Sequence, residues 1–434
     1  MLQLTDVLWV AIFGIGLCIF CLSARFKWIT APQLLLFLIL KMLLGVGLAT
    51  WDVWSRADSD TFVYYFRGQE FSTMLQDWIG GRSFEYLHTT PFWGLDGIST
   101  DRLASFTGLL LTLTGNSYLA ATLTLGMLGA TGQLLIYRYL RERFPMIGPG
   151  YFMPVLFHPS LMVWSALLLK DPVGILAIGL VVYYGDRMLL APTTSRIAPL
   201  AVGLYLAYSF RSFILVLMFI FFVFSFYDRR IVKDTDQRVK ERGWIRLLYV
   251  YVSVSLSVII FIVYMINYGR DMVDMQRDSD LMYSQIDAGS TFQNASLGFS
   301  VKGLGALPIG TMNAILRPFP WEPRKANQAV AAVENLIMLI FVFRGWWIYF
   351  YKVPKHMKRS ISWLMWGSLF ISIICATGVG LYASNLGTIS RYRIPLIPFL
   401  AMGPGLALGT AALARKRKFR GGLVGNRLSA IRVV

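Results

Sequence analysis

Long apolar runs recur along the whole chain, separated by shorter polar segments. Several reach or approach the ~20 residues that an α-helix needs to cross the hydrocarbon core of a bilayer. Because backbone polar groups in lipid need internal partners, such runs predict spanning helices. The pattern therefore predicts an all-α, polytopic membrane helix bundle with about eleven transmembrane helices. The predicted spans are residues 7–22, 34–50, 118–137, 152–169, 173–184, 197–210, 213–226, 247–266, 329–349, 363–381 and 394–412.

Two long polar stretches, residues 51–117 and 267–328, interrupt this pattern and predict two large loops. Within the first loop, residues 61–75 place apolar side chains at helical spacing, which predicts a helix lying flat on the membrane surface. Residues 103–113 and 303–315 are apolar but too short to span, so we expect interfacial or re-entrant helices there.

The apolar runs and the loops divide the chain into six predicted parts. These are the first two spans (1–50), the first loop (51–117), the central spans (118–266), the second loop (267–328), the last spans (329–414) and a basic tail (415–434).

Lysine and arginine concentrate in the segments after every second span, most densely in residues 228–246 and in the tail. Positive residues mark cytoplasmic loops, so the pattern predicts that the N-terminus and both large loops lie outside and the C-terminus inside. The net charge of +18 is accounted for by these loops, so nucleic acid is not an expected partner but membrane lipids are.

Several kinds of chemistry leave no trace in the sequence. The three cysteines lie inside apolar runs and the three histidines are far apart, so neither a disulfide framework nor a zinc site is predicted. No Walker motif or dinucleotide-binding fingerprint is present, which disfavours ATP-driven and NAD-dependent reactions.

The first loop opens with an acidic stretch that contains Asp58-Ser-Asp60. One of these carboxylates is a candidate general base toward an acceptor hydroxyl. Together Asp58 and Asp60 are also candidate ligands for a divalent cation, magnesium or manganese. The alternative is a solvated turn. Tyr64 and His88, in the same loop, are candidates for contacts with a sugar or an acceptor, and the simpler interpretation of the lone His88 is an ordinary loop residue.

Cationic side chains follow at the predicted outer ends of later spans. Lys170, Arg211, Arg391 and Arg393 are candidates for binding a lipid phosphate, because guanidinium and ammonium groups match phosphate oxygens. The alternatives are an ion pair of Lys170 with Asp171 at a turn, and snorkelling of the two C-terminal arginines to lipid head groups.

The second loop ends in Arg-Pro-Phe-Pro-Trp-Glu, residues 317–322. Trp321 is a candidate for stacking on a sugar face and Glu322 for accepting its hydroxyls, with an aromatic-belt residue as the alternative. Lys41 lies inside a predicted span, which indicates either a functional site or a lysine that faces the bundle with local partners.

The layout and the short motifs resemble bacterial polytopic glycosyltransferases of the GT-C superfamily, related to the dolichyl-phosphate-mannose and aminoarabinose transferases. Catalytic acids in the first outer loop of that family are matched by Asp58 and Asp60, and its Arg-Tyr-Arg-x-Pro-like stretch by residues 391–395. The resemblance implies a multi-pass protein of the bacterial cytoplasmic membrane. It also implies transfer of a sugar from a polyprenyl-phosphate-linked donor to a glycan or lipid acceptor, in assembly of envelope polysaccharide.

Two neighbouring functions stay open at the sequence level. Here two predicted spans precede the acidic loop, where the family has one. O-antigen or exopolysaccharide polymerases and ligases also face outward, act on polyprenyl-diphosphate glycans and depend on arginines in outer loops. A transporter of lipid-linked glycans is the third candidate, and it predicts charged residues in mid-span that face a cavity.

Overall fold

The computed structural model describes residues 4–23, 26–55, 60–81, 99–190, 193–211, 213–233, 306–323, 326–383 and 386–428. Within these ranges all regular secondary structure is helical, which confirms the predicted all-α class.

Ten helices lie in the first half of the described chain. They are α1 (Leu4–Ser23), α2 (Ala31–Ser55), α3 (Asp60–Ile79), α4 (Ser99–Thr114), α5 (Tyr118–Arg143), α6 (Pro154–Phe157), α7 (Pro159–Trp164), α8 (Lys170–Leu190), α9 (Thr194–Phe210) and α10 (Phe213–Lys233).

Five more helices follow in the second half. They are α11 (Ala306–Leu316), α12 (Ala326–Tyr351), α13 (Lys355–Tyr382), α14 (Leu386–Tyr392) and α15 (Ile397–Leu428). Short 3₁₀ turns cover Pro149–Phe152 and Ile394–Leu396.

Six helical segments of the described chain are long and apolar enough to cross a membrane, which confirms a membrane protein with transmembrane helices. They are Ala31–Ser55, Tyr118–Arg143, Lys170–Leu190, Gln328–Tyr351, Ser360–Gly380 and Leu386–Lys416. Thr5–Cys21 and Phe213–Phe226 are shorter apolar helices. The predicted span 247–266 lies outside the described residues, and the count of eleven stays a prediction.

The structure corrects the predicted span over residues 152–169. This segment is not one helix, since a 3₁₀ turn, α6 and α7 succeed one another before α8 begins. Pro149, Pro154 and Pro159 each stand at the first position of one of these pieces. Proline has no N–H group and its ring clashes with the preceding turn, so each one starts a helix and prevents the previous helix from continuing.

Both polar stretches contain helices where the structure describes them. The expected helix over 61–75 is confirmed by α3, and the one over 103–113 by α4. The expected helix over 303–315 corresponds to α11 from residue 306 onward. The location of these helices at the membrane surface stays a prediction.

The chain forms two compact units, which cut across the six predicted parts. Unit 1 comprises residues 1–139 and 156–218, and unit 2 comprises residues 140–155 and 219–434. In unit 1, α3 packs against α4 and α8 against α9. In unit 2, α11 packs against α13 and α12 against α15.

Glycines on α2 and α5 let the segment after α7 lie directly against both helices. A Cβ atom on Gly129 would lie 2.6 Å from the carbonyl oxygen of Ser165, and one on Gly126 would lie 3.2 Å from that of Ala166. Gly45 on α2 faces the same Ala166 oxygen at 3.3 Å. Because only glycine leaves room for this backbone approach, these positions fix where the chain enters α8.

Candidate functional site

Lys170, the first residue of α8, lies between two helices of the first loop. Its Nζ atom donates a hydrogen bond to Thr100 Oγ1 at 2.8 Å, 70 positions earlier in the chain. The same ammonium lies 5.8 Å from the centroid of the Tyr64 ring, a cation–π arrangement. Thr100 is in the first turn of α4 and Tyr64 is buried on α3. The structure therefore brings two predicted site residues, Lys170 and Tyr64, into contact.

The structure describes Asp52 and Asp60 of the acidic stretch. Asp60 is the exposed first residue of α3, one helical turn before Tyr64 and therefore on the same face of the helix. Thr61 Oγ1 donates a hydrogen bond to Asp52 Oδ2 at 3.1 Å, which ties the end of α2 to the start of α3. A carboxylate at a helix N-terminus is also favoured by the helix dipole. Asp58 and His88 lie outside the described residues.

Arg211 forms a buried ion pair with Asp171. Its Nη2 atom lies 2.5 Å from Asp171 Oδ1, and the two side chains are 6% and 0% exposed. Asp171 follows Lys170 in the first turn of α8, and Arg211 follows the last residue of α9. The charge of the predicted phosphate ligand Arg211 is therefore balanced by a carboxylate.

Phe62 and Tyr65 on α3 pack against Tyr118 at the start of α5 and form a layer of aromatic rings. The Tyr65 and Tyr118 rings meet edge to face at 5.1 Å, and Phe62 stacks on Tyr118 at 5.6 Å. The Tyr65 hydroxyl donates a hydrogen bond to the carbonyl oxygen of Asn116 at 3.1 Å. Burial, and after it the nearby Asp6 carboxylate, raises the pKa of Tyr65, so this hydroxyl keeps its proton at neutral pH. The layer holds α3, and with it Asp60 and Tyr64, in one orientation.

No known protein family, curated protein or solved structure matches this chain.

In unit 2, the turn at residues 317–322 is closed by Glu322. One carboxylate oxygen lies 3.1 Å from Arg317 Nε, and the other accepts a hydrogen bond from the backbone N–H of Phe319 at 2.9 Å. Trp321 is 79% exposed and its ring stacks on Phe319 at 5.0 Å. Glu322 therefore shapes the turn, and Trp321 presents an aromatic face at its surface.

Arg393 is held against this same turn. It is 4% exposed, and its Nη1 atom donates a hydrogen bond to the carbonyl oxygen of Arg317 at 3.2 Å. Asn335 Nδ2 donates to that oxygen as well, at 2.7 Å. Among the residues that the structure describes, Arg393 Nη2 has no hydrogen-bond partner. The half-buried Arg391 lies two positions earlier, at the end of α14.

Lys41 faces the interior of unit 1 and has local partners, which confirms the simpler of its two interpretations. It is 1% exposed, and its Nζ atom lies 3.0 Å from Gln133 Oε1 and from the carbonyl oxygen of Met162. Ser165 Oγ is a further partner at 2.5 Å. These contacts join α2, α5 and the end of α7.

The predicted site residues thus fall into two groups, each inside one unit. Asp60, Tyr64, Lys170 and Arg211 belong to unit 1, and Trp321, Glu322, Arg391 and Arg393 belong to unit 2. Thr100, Asp171, Arg317 and Asn335 are the partners that the sequence did not single out for these roles. Single polar residues, three of them on helices, carry no spacing signal, so only the fold could assign these contacts. Within the described ranges, no group of three or more His, Cys, Asp or Glu side chains could hold a metal ion.

Proposed function

We propose that this protein is a membrane glycosyltransferase that transfers a sugar from a polyprenyl-phosphate-linked donor during assembly of cell-envelope polysaccharide. The observation that carries the proposal is the contact between Lys170 and Tyr64, one helical turn from Asp60. It brings a cation suited to a phosphate, an aromatic ring and a carboxylate to one end of unit 1.

The reaction needs few groups from the protein. The Lys170 ammonium balances the charge of the donor phosphate, while the carboxylate of Asp58 or Asp60 accepts the proton of the acceptor hydroxyl. The acceptor oxygen forms a bond to the anomeric carbon as the bond from that carbon to the phosphate oxygen breaks. The electron pair leaves with the polyprenyl phosphate, and the configuration at the anomeric carbon inverts.

The remaining predicted residues have subordinate roles in this proposal. Tyr64 and His88 contact the sugar or the acceptor. Arg211 serves mainly to hold Asp171. Trp321, Glu322, Arg391 and Arg393 belong to unit 2, and their roles stay predictions. A magnesium or manganese ion on Asp58 and Asp60 would supply further charge neutralisation when bound. The site faces the outside of the bacterial cytoplasmic membrane in the predicted topology.

The buried guanidinium of Arg393 favours one alternative, a polymerase or ligase that acts on polyprenyl-diphosphate glycans. A diphosphate carries more charge than a monophosphate, and an arginine with an N–H group left over inside unit 2 suits such a ligand. In that case Arg391 and Arg393 matter more than Asp58 and Asp60.

The test is donor turnover by the purified protein in proteoliposomes. A polyprenyl-phosphate-linked hexose is the probe, and the released polyprenyl phosphate is measured. We expect Lys170→Gln to raise the KM for the donor about tenfold or more, because a charge-assisted contact to phosphate is lost. Lys352→Gln, an exposed lysine of unit 2, is the control and should leave the KM unchanged.

The same assay separates the two enzymes. If Arg391→Ala and Arg393→Ala each abolish turnover of a diphosphate-linked donor while Lys170→Gln leaves turnover of both donors unchanged, the polymerase or ligase replaces the transferase as the assignment. Turnover of neither donor by the folded wild-type protein contradicts both.

A further inference from the structure

An apolar groove runs along unit 1 between α1 and α5. Its volume is about 440 Å³, and its walls are formed by Phe13, Leu17 and Phe20 on α1 and by Leu134 and Leu135 on α5. These side chains are hydrocarbon throughout, so the groove suits an apolar chain rather than a polar ligand.

The groove has the length of one bilayer leaflet. Its α1 wall extends from Trp9 to Phe20, eleven residues along the helix and therefore about 16 Å. That is about half of the ~30 Å hydrocarbon thickness of a membrane. Gly16 lies in the middle of this wall, and nothing stands within 4 Å of where its Cβ atom would be. A lipid chain from one leaflet fits these dimensions.

One end of the groove is cationic. Arg138 is part of its lining, and this guanidinium lies 5.7 Å from the Trp28 ring and 4.8 Å from the Tyr183 ring. The exposed Lys27 precedes Trp28 in the chain and adds a second cation near this end. Two aromatic rings fix the guanidinium of Arg138 where the apolar walls end, which is where a lipid carries its phosphate.

We propose that this groove binds one anionic phospholipid, with an acyl chain between α1 and α5 and the phosphate at Arg138. A free phosphate would leave the apolar walls uncovered. A zwitterionic lipid would fill them but gain less from the cationic end.

This lipid site is separate from the transferase site and does not rest on the proposed function. Tyr118, which packs under α3, and Arg138 lie on the same helix, 20 residues and about 30 Å apart. The bound lipid therefore lies toward the basic end of unit 1, away from Lys170.

The experiment compares two lipids on the purified full-length protein in a neutral detergent. Dioleoyl-phosphatidylglycerol or dioleoyl-phosphatidylcholine is added, and retained lipid is counted by native mass spectrometry. We expect the wild-type protein to retain one phosphatidylglycerol with roughly fivefold to tenfold preference over phosphatidylcholine. Arg138→Gln should remove that preference. Arg187→Gln is the matched control, since this arginine shares the Tyr183 ring but does not line the groove, and it should keep the preference.

Blocking the groove tests the apolar half of the proposal. Gly16→Phe should abolish retention of both lipids, whereas Gly47→Phe should not, because Gly47 has equally open surroundings on α2 but lies outside the groove. Thr131→Phe blocks the groove from α5 and serves if Gly16→Phe does not fold. The proposal is overturned if Arg138→Gln keeps the wild-type preference, or if a folded blocking variant retains lipid as the wild type does.

Discussion

A lysine inside an apolar helix is stable only if its ammonium finds acceptors, and Lys41 finds them at the end of a broken helix. The last carbonyl groups of a helix have no partner within it. Lys41 reaches the carbonyl oxygen of Met162 at 3.0 Å and that of Leu161 at 3.5 Å, both in the last turn of α7. The buried ammonium of Lys41 therefore gains hydrogen-bond acceptors, and the carbonyl groups at the end of α7 gain a donor.

We expect Lys41→Met to lower the stability of the protein strongly. It leaves the buried carbonyl oxygen of Met162 without its side-chain donor, and it removes one of the donors to the Leu161 carbonyl oxygen and to Gln133 Oε1, which both keep Ser165, at roughly 1–3 kcal/mol in total. The measurement is the apparent melting temperature of the detergent-solubilised protein. Lys358→Met is the control, since this lysine also caps a carbonyl, that of Phe350, but at an exposed position where water replaces it. Equal melting temperatures for the two variants would contradict this role of Lys41.

The Arg211–Asp171 pair leads to a second prediction at this scale. Asp171→Asn leaves a buried guanidinium without its counter-charge, so we expect a loss of about 3–5 kcal/mol in stability. Replacing both residues, Arg211→Met with Asp171→Leu, should cost less than the sum of the single changes, because no isolated charge remains. A double-mutant cycle on urea or thermal unfolding measures this coupling. A coupling energy near zero would show that the ion pair does not hold α8 to the end of α9.

The sequence could identify some of these residues as candidates, but it could not predict which of them contact each other. Tyr64 and Lys170 could be singled out because the basic loops placed both on one predicted side of the membrane. Their contact with each other could not be predicted, because hydropathy gives depth along the membrane normal and not lateral neighbours. The ion pair between Arg211 and Asp171 could not be predicted for the same reason.

At the scale of elements, the segment between α5 and α8 differs most from its prediction. The mean hydropathy of a stretch of sequence reports how many of its side chains prefer lipid, and residues 152–169 are apolar enough to suggest a spanning helix. It does not register where the hydrogen-bond ladder is broken, although Pro149, Pro154 and Pro159 are visible in the sequence. Short pieces at this depth are stable only because other parts of the protein, Lys41 above all, bind their free carbonyl groups.

Gly129 on α5, which lies against the segment after α7, provides a prediction at this scale. Gly129→Ala places a methyl group 2.6 Å from the Ser165 carbonyl oxygen, so α5 and the segment must separate, at roughly 1–3 kcal/mol in stability. Gly47→Ala, with nothing within 4 Å, should leave stability equal or slightly higher, because alanine favours the helix. Thermal melting of the two variants side by side is the measurement. Equal loss in both would mean that only helix propensity was changed.

At the scale of the whole molecule, six long apolar helices in the described part of the chain confirm the membrane character, while sidedness stays a prediction from the basic loops. It is testable by cysteine labelling, because the three natural cysteines form no disulfide bond and can be replaced by alanine. In that background, Asp77→Cys on α3 should react with a membrane-impermeant maleimide in intact cells. Lys358→Cys on α13 should react only after permeabilisation. The reverse pattern would place the acidic stretch in the cytoplasm.

In the proposed reaction, the carboxylate of Asp58 or Asp60 accepts the proton of the acceptor hydroxyl. The most direct test of this step is release of polyprenyl phosphate from a polyprenyl-phosphate-linked hexose by proteoliposomes that contain the Asp58→Asn, Asp60→Asn double variant. Asp77→Asn, a carboxylate near the other end of α3, is the matched control. We predict that the double variant inserts and melts like the wild type but releases no polyprenyl phosphate, while the control keeps full activity. Full activity in the folded double variant would contradict the assignment.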